Sequence, residues 1–199
     1  MCNDYEQHIF YAEYCKMMQE LALEIPSYQS ELDLPRADDI KIGDIGPVMR
    51  AAASGVVELS PMRFGFPPPA GRRGGPVFNF RSEGRHFGDS KRCLIPASAF
   101  FEFTGKKYPK AKHRFTLRGS TFLAIVGLWR DGQGNEPPSF AMLTTEPGPD
   151  VAPIHDRQVA VLKPGHWRHW LDLSKPEGEL LRHLPQGSFD VELVRPGRD

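Results

Sequence analysis

The chain has 199 residues, 40% of them hydrophobic and 25% charged, which excludes an intrinsically disordered chain. Twenty-five Lys+Arg balance twenty-five Asp+Glu, so no whole-molecule field directs the protein to a polyanion. Nineteen glycines and nineteen prolines exclude a long helical bundle and point to many short elements joined by turns.

From the N-terminus, Ile9, Phe10, Tyr14, Met17, Met18 and Leu21 recur at helical spacing and predict an amphipathic helix over 4–23 with Asp4 as its cap. Residues 26–46 carry Pro26, Pro35, Gly43 and Gly46 among acids and read as irregular. Short apolar segments then predict strands at 48–52, 56–59 and 63–66, followed by a breaker-rich loop over 67–76. Further strands are predicted at 92–95, 99–103, 113–117, 122–128, 139–145 and 158–162. Helices are predicted at 166–171 and 177–184, and a last strand at 189–194. With neither an internal repeat nor a linker between two cores, the expectation is one α+β domain over 1–199. Its short, mainly antiparallel strands would form a barrel-like sheet with flanking helices.

No apolar run approaches the roughly 20 residues of a membrane helix. The acidic start Met1-Cys2-Asn3-Asp4-Tyr5-Glu6 lacks the basic region of a secretory signal. Cys2, Cys15 and Cys93 are odd in number and sparse, which fits a reducing cytosol rather than a disulfide framework. A cytoplasmic monomer is expected, associated with the nucleoid if the source is bacterial. The neutral total hides an uneven charge distribution: residues 50–114 hold thirteen Lys/Arg against four Asp/Glu, and the remainder is correspondingly acidic. Such a segment is either a phosphate footprint or a solvated face cancelled in space by the acidic ends.

Four places carry candidate chemistry. Cys2 follows an initiator methionine that is often removed before a small residue. Removal leaves an amine and a thiol on one residue, and that 1,2-aminothiol condenses with an aldehyde to a thiazolidine. An α-amine with an ordinary pKa of about 8 is partly neutral at physiological pH. The bland alternative is a cysteine in a frayed terminus. Glu102 lies between Phe101 and Phe103, where desolvation would raise its pKa toward that of a general acid/base, unless the strand turns it to solvent. His155, in Ala152-Pro153-Ile154-His155-Asp156-Arg157, is either a proton shuttle or a surface hydrogen-bonding group. Asn79 stands in the apolar-flanked Val77-Phe78-Asn79-Phe80-Arg81-Ser82-Glu83. No CxxC, HExxH, phosphate-binding loop or nucleophile elbow is present, so neither a metal nor a cofactor is expected; His166 and His169 read as part of a helix packed by Trp167 and Trp170.

Taken in order, Met1-Cys2, Asn79-Phe80-Arg81-Ser82-Glu83, Arg92-Cys93-Leu94-Ile95-Pro96-Ala97 through Glu102-Phe103, and Ile154-His155-Asp156-Arg157 resemble the motifs of the SRAP family (SOS response-associated peptidase). The resemblance runs to about residue 171, with Gly127-Leu128-Trp129 and Thr144-Thr145 between the motifs. It departs at Asn3-Asp4, where the family has Gly-Arg, and so places a negative charge where the family offers a positive one. Phe64 and Phe103 replace tryptophans, Gln158-Val159 replaces Met-Pro, and the stretch between Glu83 and Arg92 is shorter than usual.

The resemblance implies an abasic-site sensor of the DNA damage and SOS response that crosslinks covalently to single-stranded DNA. Cys2 would be the nucleophile, Glu102 the proton shuttle, His155 a donor to the sugar oxygen and Asn79 the residue that positions the terminus. Arg81 would bind a flanking phosphate. Arg63, Arg85 and Arg157 would add DNA contacts, and Phe64 would stack on a base. Two other activities remain open. One is a cysteine peptidase, autoproteolytic in its mildest form, built on Cys2 and His155. The other is a single-stranded DNA-binding module without chemistry.

Overall fold

The computed structural model describes residues 2–52, 56–68 and 73–198. Met1 and residues 69–72 of the breaker-rich loop, Arg72 among them, lie outside the described residues. The strands are β1 (Asp4–Gln7), β2 (Ala37–Lys41), β3 (Ile45–Ala51), β4 (Val57–Phe64), β5 (Asn79–Arg81), β6 (Arg92–Ala97), β7 (Ala99–Thr104), β8 (Ala111–Leu117), β9 (Leu123–Arg130), β10 (Ser139–Thr145), β11 (Gln158–Val159), β12 (Val161–Leu162) and β13 (Phe189–Arg195). The helices are α1 (Tyr11–Glu20), α2 (Trp167–Asp172) and α3 (Glu177–Leu180).

Two sheets result. The first has the order β13-β8-β7-β1-β2, antiparallel throughout. The second runs β11-β10-β4-β3-β6-β9-β12, with β5 added beside β10. Its pairings return from β9 to β10, which gives a barrel-like curl. The β10–β4 and β3–β6 contacts involve only two residue pairs each, so this is not a closed barrel. The ladders are mainly antiparallel; β10 is parallel to β4 and to β5. The expected α+β class with a barrel-like sheet is what the structure shows.

The burial pattern follows from this layering. One core cluster fills the space between the sheets, with Tyr5, Phe100, Phe115 and Phe189 from the first and Phe64, Ile125, Phe140 and Met142 from the second. The other joins the far face of the second sheet to the helices, through Met49, Leu94, Val126, Leu143, Tyr14, Met18, Trp167 and Trp170. Strands β9 and β10 face a core on both sides, which is why they read as continuous apolar runs rather than alternating ones.

Three local expectations are corrected. The segment 4–10 is not helical: Tyr5 pairs with Phe100 of β7 and Asp4 with Lys41 of β2, so tertiary pairing overrides the helical period. The helix starts at Tyr11, and Asp4 does not cap it; the Glu13 carboxylate accepts the Phe10 N–H at 3.0 Å. The irregular segment 26–46 contains β2, whose sequence Ala-Asp-Asp-Ile-Lys has Ile40 as its one buried residue and Ala37 packed against the core at its edge. The two strands expected on either side of Pro61 are one strand, β4. Pro61 faces Pro47 of β3, and the outer neighbours begin beyond them, β6 at Met49 and β10 at Arg63. The missing N–H groups therefore break no ladder.

Gly46 marks the tightest approach between the sheets. A Cβ there would lie 2.1 Å from the hydroxyl of Tyr5. That ring cannot retreat, because it is fully buried and packs edge-on against Phe64 (5.9 Å) and Phe140 (6.5 Å). Gly46→Ala is expected to cost about 2–3 kcal/mol by overpacking, measured by urea unfolding. Tyr5→Phe in the same chain removes the colliding oxygen and should restore most of that loss.

Candidate active site

Strand β1 brings Cys2 into the molecule instead of leaving it at a frayed end. Cys2 is 0% exposed and belongs to the core between the sheets. Its thiol donates to the carbonyl of Asp4 at 3.2 Å. Its own carbonyl accepts the Asn79 Nδ2–H at 2.9 Å, from the first residue of β5. Burial, and then the neighbouring Glu102 carboxylate, push the thiol up to a pKa of about 12. At neutral pH it is therefore a protonated thiol.

Glu102 does not point to solvent. Alternation along β7 puts it on the face of Phe100, which stacks on Phe115 of β8 at 4.8 Å, so the strand turns this carboxyl inward. Its side chain is 1% exposed, and burial raises its pKa from 4.5 to about 7, while the backbone N–H of Cys2 favours its ionised form. The carboxyl thus shares its proton about evenly with water near neutrality, as a general acid/base requires. His155 stands across from it in the turn after β10, Nε2 3.8 Å from Glu102 Oε2, and burial lowers its pKa. The imidazole is held at Nδ1, which lies 3.0 Å from the N–H and 3.1 Å from the carbonyl of Arg157. The structure therefore joins all four sequence candidates in one run of contacts, Asn79 to Cys2, Cys2 to Glu102, and Glu102 to His155.

A cleft of about 450 Å³ opens beside Glu102 and His155. Lys41, Lys110, Lys112 and Arg195 line it together with Asp4, Asp39 and Tyr108. Asp4 was visible from sequence as a reversed charge and Lys110 and Lys112 as part of the basic segment, but their meeting with Asp39, Lys41, Tyr108 and Arg195 was not, because these residues come from four separate parts of the chain.

The residues expected to contact DNA fare differently. Arg81 is exposed, and by strand alternation shares a face of β5 with Asn79. Arg85 is exposed, its guanidinium 5.6 Å from the centre of the Phe80 ring. Arg63 forms an ion pair with Glu136. Phe64 is 0% exposed, stacked on Phe140 at 5.1 Å, and cannot receive a base. It lies on the inter-sheet face of β4 with Met62, which corrects the expectation of an exposed aromatic. Arg157 is buried: its guanidinium donates to both oxygens of Glu83 at 2.8 and 2.9 Å and to the Thr144 carbonyl at 2.9 Å. It ties the His155 turn to β10 and to the end of β5 instead of offering a charge to DNA. Part of the basic middle segment is paired in space, Arg50 with Glu58, Lys91 with Asp131, Lys112 with Asp4 and Asp39, and Arg114 with Glu6.

Removing the Arg157 fork leaves the buried Thr144 carbonyl without that donor and frees the turn. Arg157→Ala is expected to cost about 2–3 kcal/mol in urea unfolding. Arg157→Lys should recover only a minor part, since an ammonium cannot make the paired contacts of a guanidinium.

A family model described as SOS response associated peptidase (SRAP) matches residues 1–196. The chain belongs to the SRAP family. The abasic site processing protein YoqW of Bacillus subtilis (strain 168) is 33% identical over 110 residues, 52% of this chain and 49% of that protein. The abasic site processing protein YMR114C of Saccharomyces cerevisiae is 26% identical over 91 residues, 44% of this chain and 24% of that one. The chain thus spans about half the length of the Bacillus relative and about a quarter of the yeast protein. A solved structure from Bordetella bronchiseptica shares the SRAP chain's fold with a TM-score of 0.73 at 22% identity, covering 98% of this chain and 100% of that one. A phage-related protein of the same organism gives a TM-score of 0.71 at 21% identity over 98% and 94% of the two chains.

Within this SRAP fold, no helix among the described residues is long and apolar enough to cross a membrane. Among the described residues, no three His, Cys, Asp or Glu side chains converge as a metal site would require.

Proposed function

We propose that this SRAP protein, once Met1 is removed, captures an abasic site in single-stranded DNA through Cys2 as a thiazolidine, as part of a DNA-damage response. The observation that carries this reading is the bracketing of one residue. Asn79 holds the Cys2 carbonyl, and Glu102 stands at the Cys2 nitrogen that becomes the α-amine. The relatives named abasic site processing proteins supply the substrate class.

The chemistry balances with the groups present. The neutral amine adds to the aldehyde carbon of the ring-opened sugar, and a proton from Glu102 lets the oxygen leave as water, giving a C=N bond. The thiol sulfur then bonds to the same carbon while its proton passes by way of the Glu102 carboxylate to the nitrogen. His155, across from Glu102, donates to the sugar oxygen during ring opening. Enclosure of the aminothiol beside the cleft supplies proximity. A peptidase would instead need a thiolate, which a paired imidazolium stabilises. Here burial and a carboxylate push the thiol pKa the other way.

The test is intact mass of the Met1-free protein before and after incubation with a single-stranded oligonucleotide carrying one abasic site. The expected gain is the oligonucleotide mass less one water. Salt-sensitive binding with no mass gain would replace this reading with a non-covalent DNA-binding module.

A further inference from the structure

The cleft beside Glu102 holds a lysine whose charge is already matched twice. Lys112, on β8, has a side chain only 12% exposed and an ammonium 3.6 Å from the centre of the Phe101 ring. Its Nζ lies 2.8 Å from Asp4 Oδ2 and also bonds Asp39 Oδ1. The two carboxylates are not equivalent. Asp4 is 6% exposed on β1, inside the first sheet, and cannot leave. Asp39 is 37% exposed on β2, an edge strand, where a rotation of its side chain returns it to water. With both carboxylates ionised the triad is net negative, at the entrance a DNA strand would use.

We propose that Lys112 is a phosphate-binding residue of the cleft, and that Asp39 is an internal counter-ion which a backbone phosphate of the incoming single strand displaces. Asp39 then sets how much affinity the cleft has for any strand, damaged or not, and keeps undamaged DNA weakly bound while the covalent step retains the damaged strand. Asp39 is the partly exposed member of the pair, so on its side another anion can take its place. Asp4 remains on Lys112 after the exchange and holds the ammonium in place. This inference rests on the single-stranded DNA reading above, but not on the crosslinking chemistry.

The experiment is fluorescence anisotropy with an undamaged labelled oligonucleotide, which reports binding without any covalent step. Asp39→Asn is expected to tighten binding about tenfold at low salt with the dependence of log K on log salt nearly unchanged, because a phosphate reaches Lys112 in parent and variant alike. Dependence of this gain on Lys112 separates displacement from simple repulsion, because a carboxylate that merely repelled the strand would do so with or without the lysine. Lys112→Gln should weaken binding about tenfold and reduce the benefit of Asp39→Asn to less than twofold. Thermal melts establish that both variants fold; should Lys112→Gln fail to fold, Lys112→Met, which keeps the stem against the Phe101 ring, takes its place. No gain in Asp39→Asn, or a gain that persists undiminished without Lys112, would overturn the proposal. If these binding results hold while the abasic oligonucleotide gives no mass gain, the crosslinking reading fails and this one stands.

Discussion

Glu102→Gln is expected to make the protein more stable at pH 8 while removing the proposed proton shuttle. The carboxyl is raised from 4.5 to about 7 chiefly by burial. Between those two values the folded state binds more protons than the unfolded state, so stability falls as pH rises through the interval and levels off above it. The corresponding cost of ionising Glu102 in the fold is about 3 kcal/mol above pH 7, and it is absent below pH 4.5. Glutamine keeps the shape and the acceptor for the Cys2 N–H without the charge, so the variant should gain roughly that amount over the parent at pH 8 and nothing at pH 4. Urea unfolding at both pH values measures the difference. Adduct formation at pH 7 should meanwhile slow by about a hundredfold or more, the usual weight of a positioned acid/base. A variant less stable than the parent at pH 8 would show that the ionised carboxyl is held by its surroundings rather than strained by them.

This coupling of strain to function explains what could be read from the sequence. Glu102 was legible because its neighbours Phe101 and Phe103 are adjacent in the chain and already describe an apolar setting. Asn79 and His155 were legible through short local motifs. The strands β6 to β10 were legible because long β-branched and aromatic runs need no distant partner to declare themselves. Strand β1 was not, because its conformation is imposed by β7 and β2, and the helical period of the residues after it extends backward without a visible break. Phe64 looked available because nothing local distinguishes an aromatic facing a second sheet from one facing water; its burial depends on Phe140 and Tyr5. The Lys112 triad was beyond reach for a related reason: its members are 108 and 73 residues apart. The departure at Asp4 was visible as a reversed charge, but its consequence, an internal partner for a cleft lysine, belongs to the fold. Some of the cations in the basic middle likewise find carboxylates that only the fold brings near, Arg114 at Glu6 and Lys91 at Asp131.

Cys2→Ala separates the two halves of the proposed chemistry. An alanine still carries the α-amine after Met1 removal, so the variant should form the imine with the abasic aldehyde but cannot close the ring. Without a reductant its intact mass should show no stable adduct. With cyanoborohydride, which adds hydride to C=N, it should show the oligonucleotide mass less one water plus two hydrogens. The open imine also acidifies the neighbouring carbon of the sugar, so the phosphate beyond it leaves by β-elimination; strand breaks should accumulate with the variant and stay low with the parent. The substitution is not structurally silent as a frayed terminus would allow, because Cys2 is fully buried among Tyr5, Phe100 and their neighbours. Loss of the sulfur should cost about 1 kcal/mol, a modest cavity that leaves the protein folded and the comparison fair. A stable adduct in Cys2→Ala without reductant would exclude the thiol from the bond and overturn the aminothiol mechanism, whatever the fate of the amine.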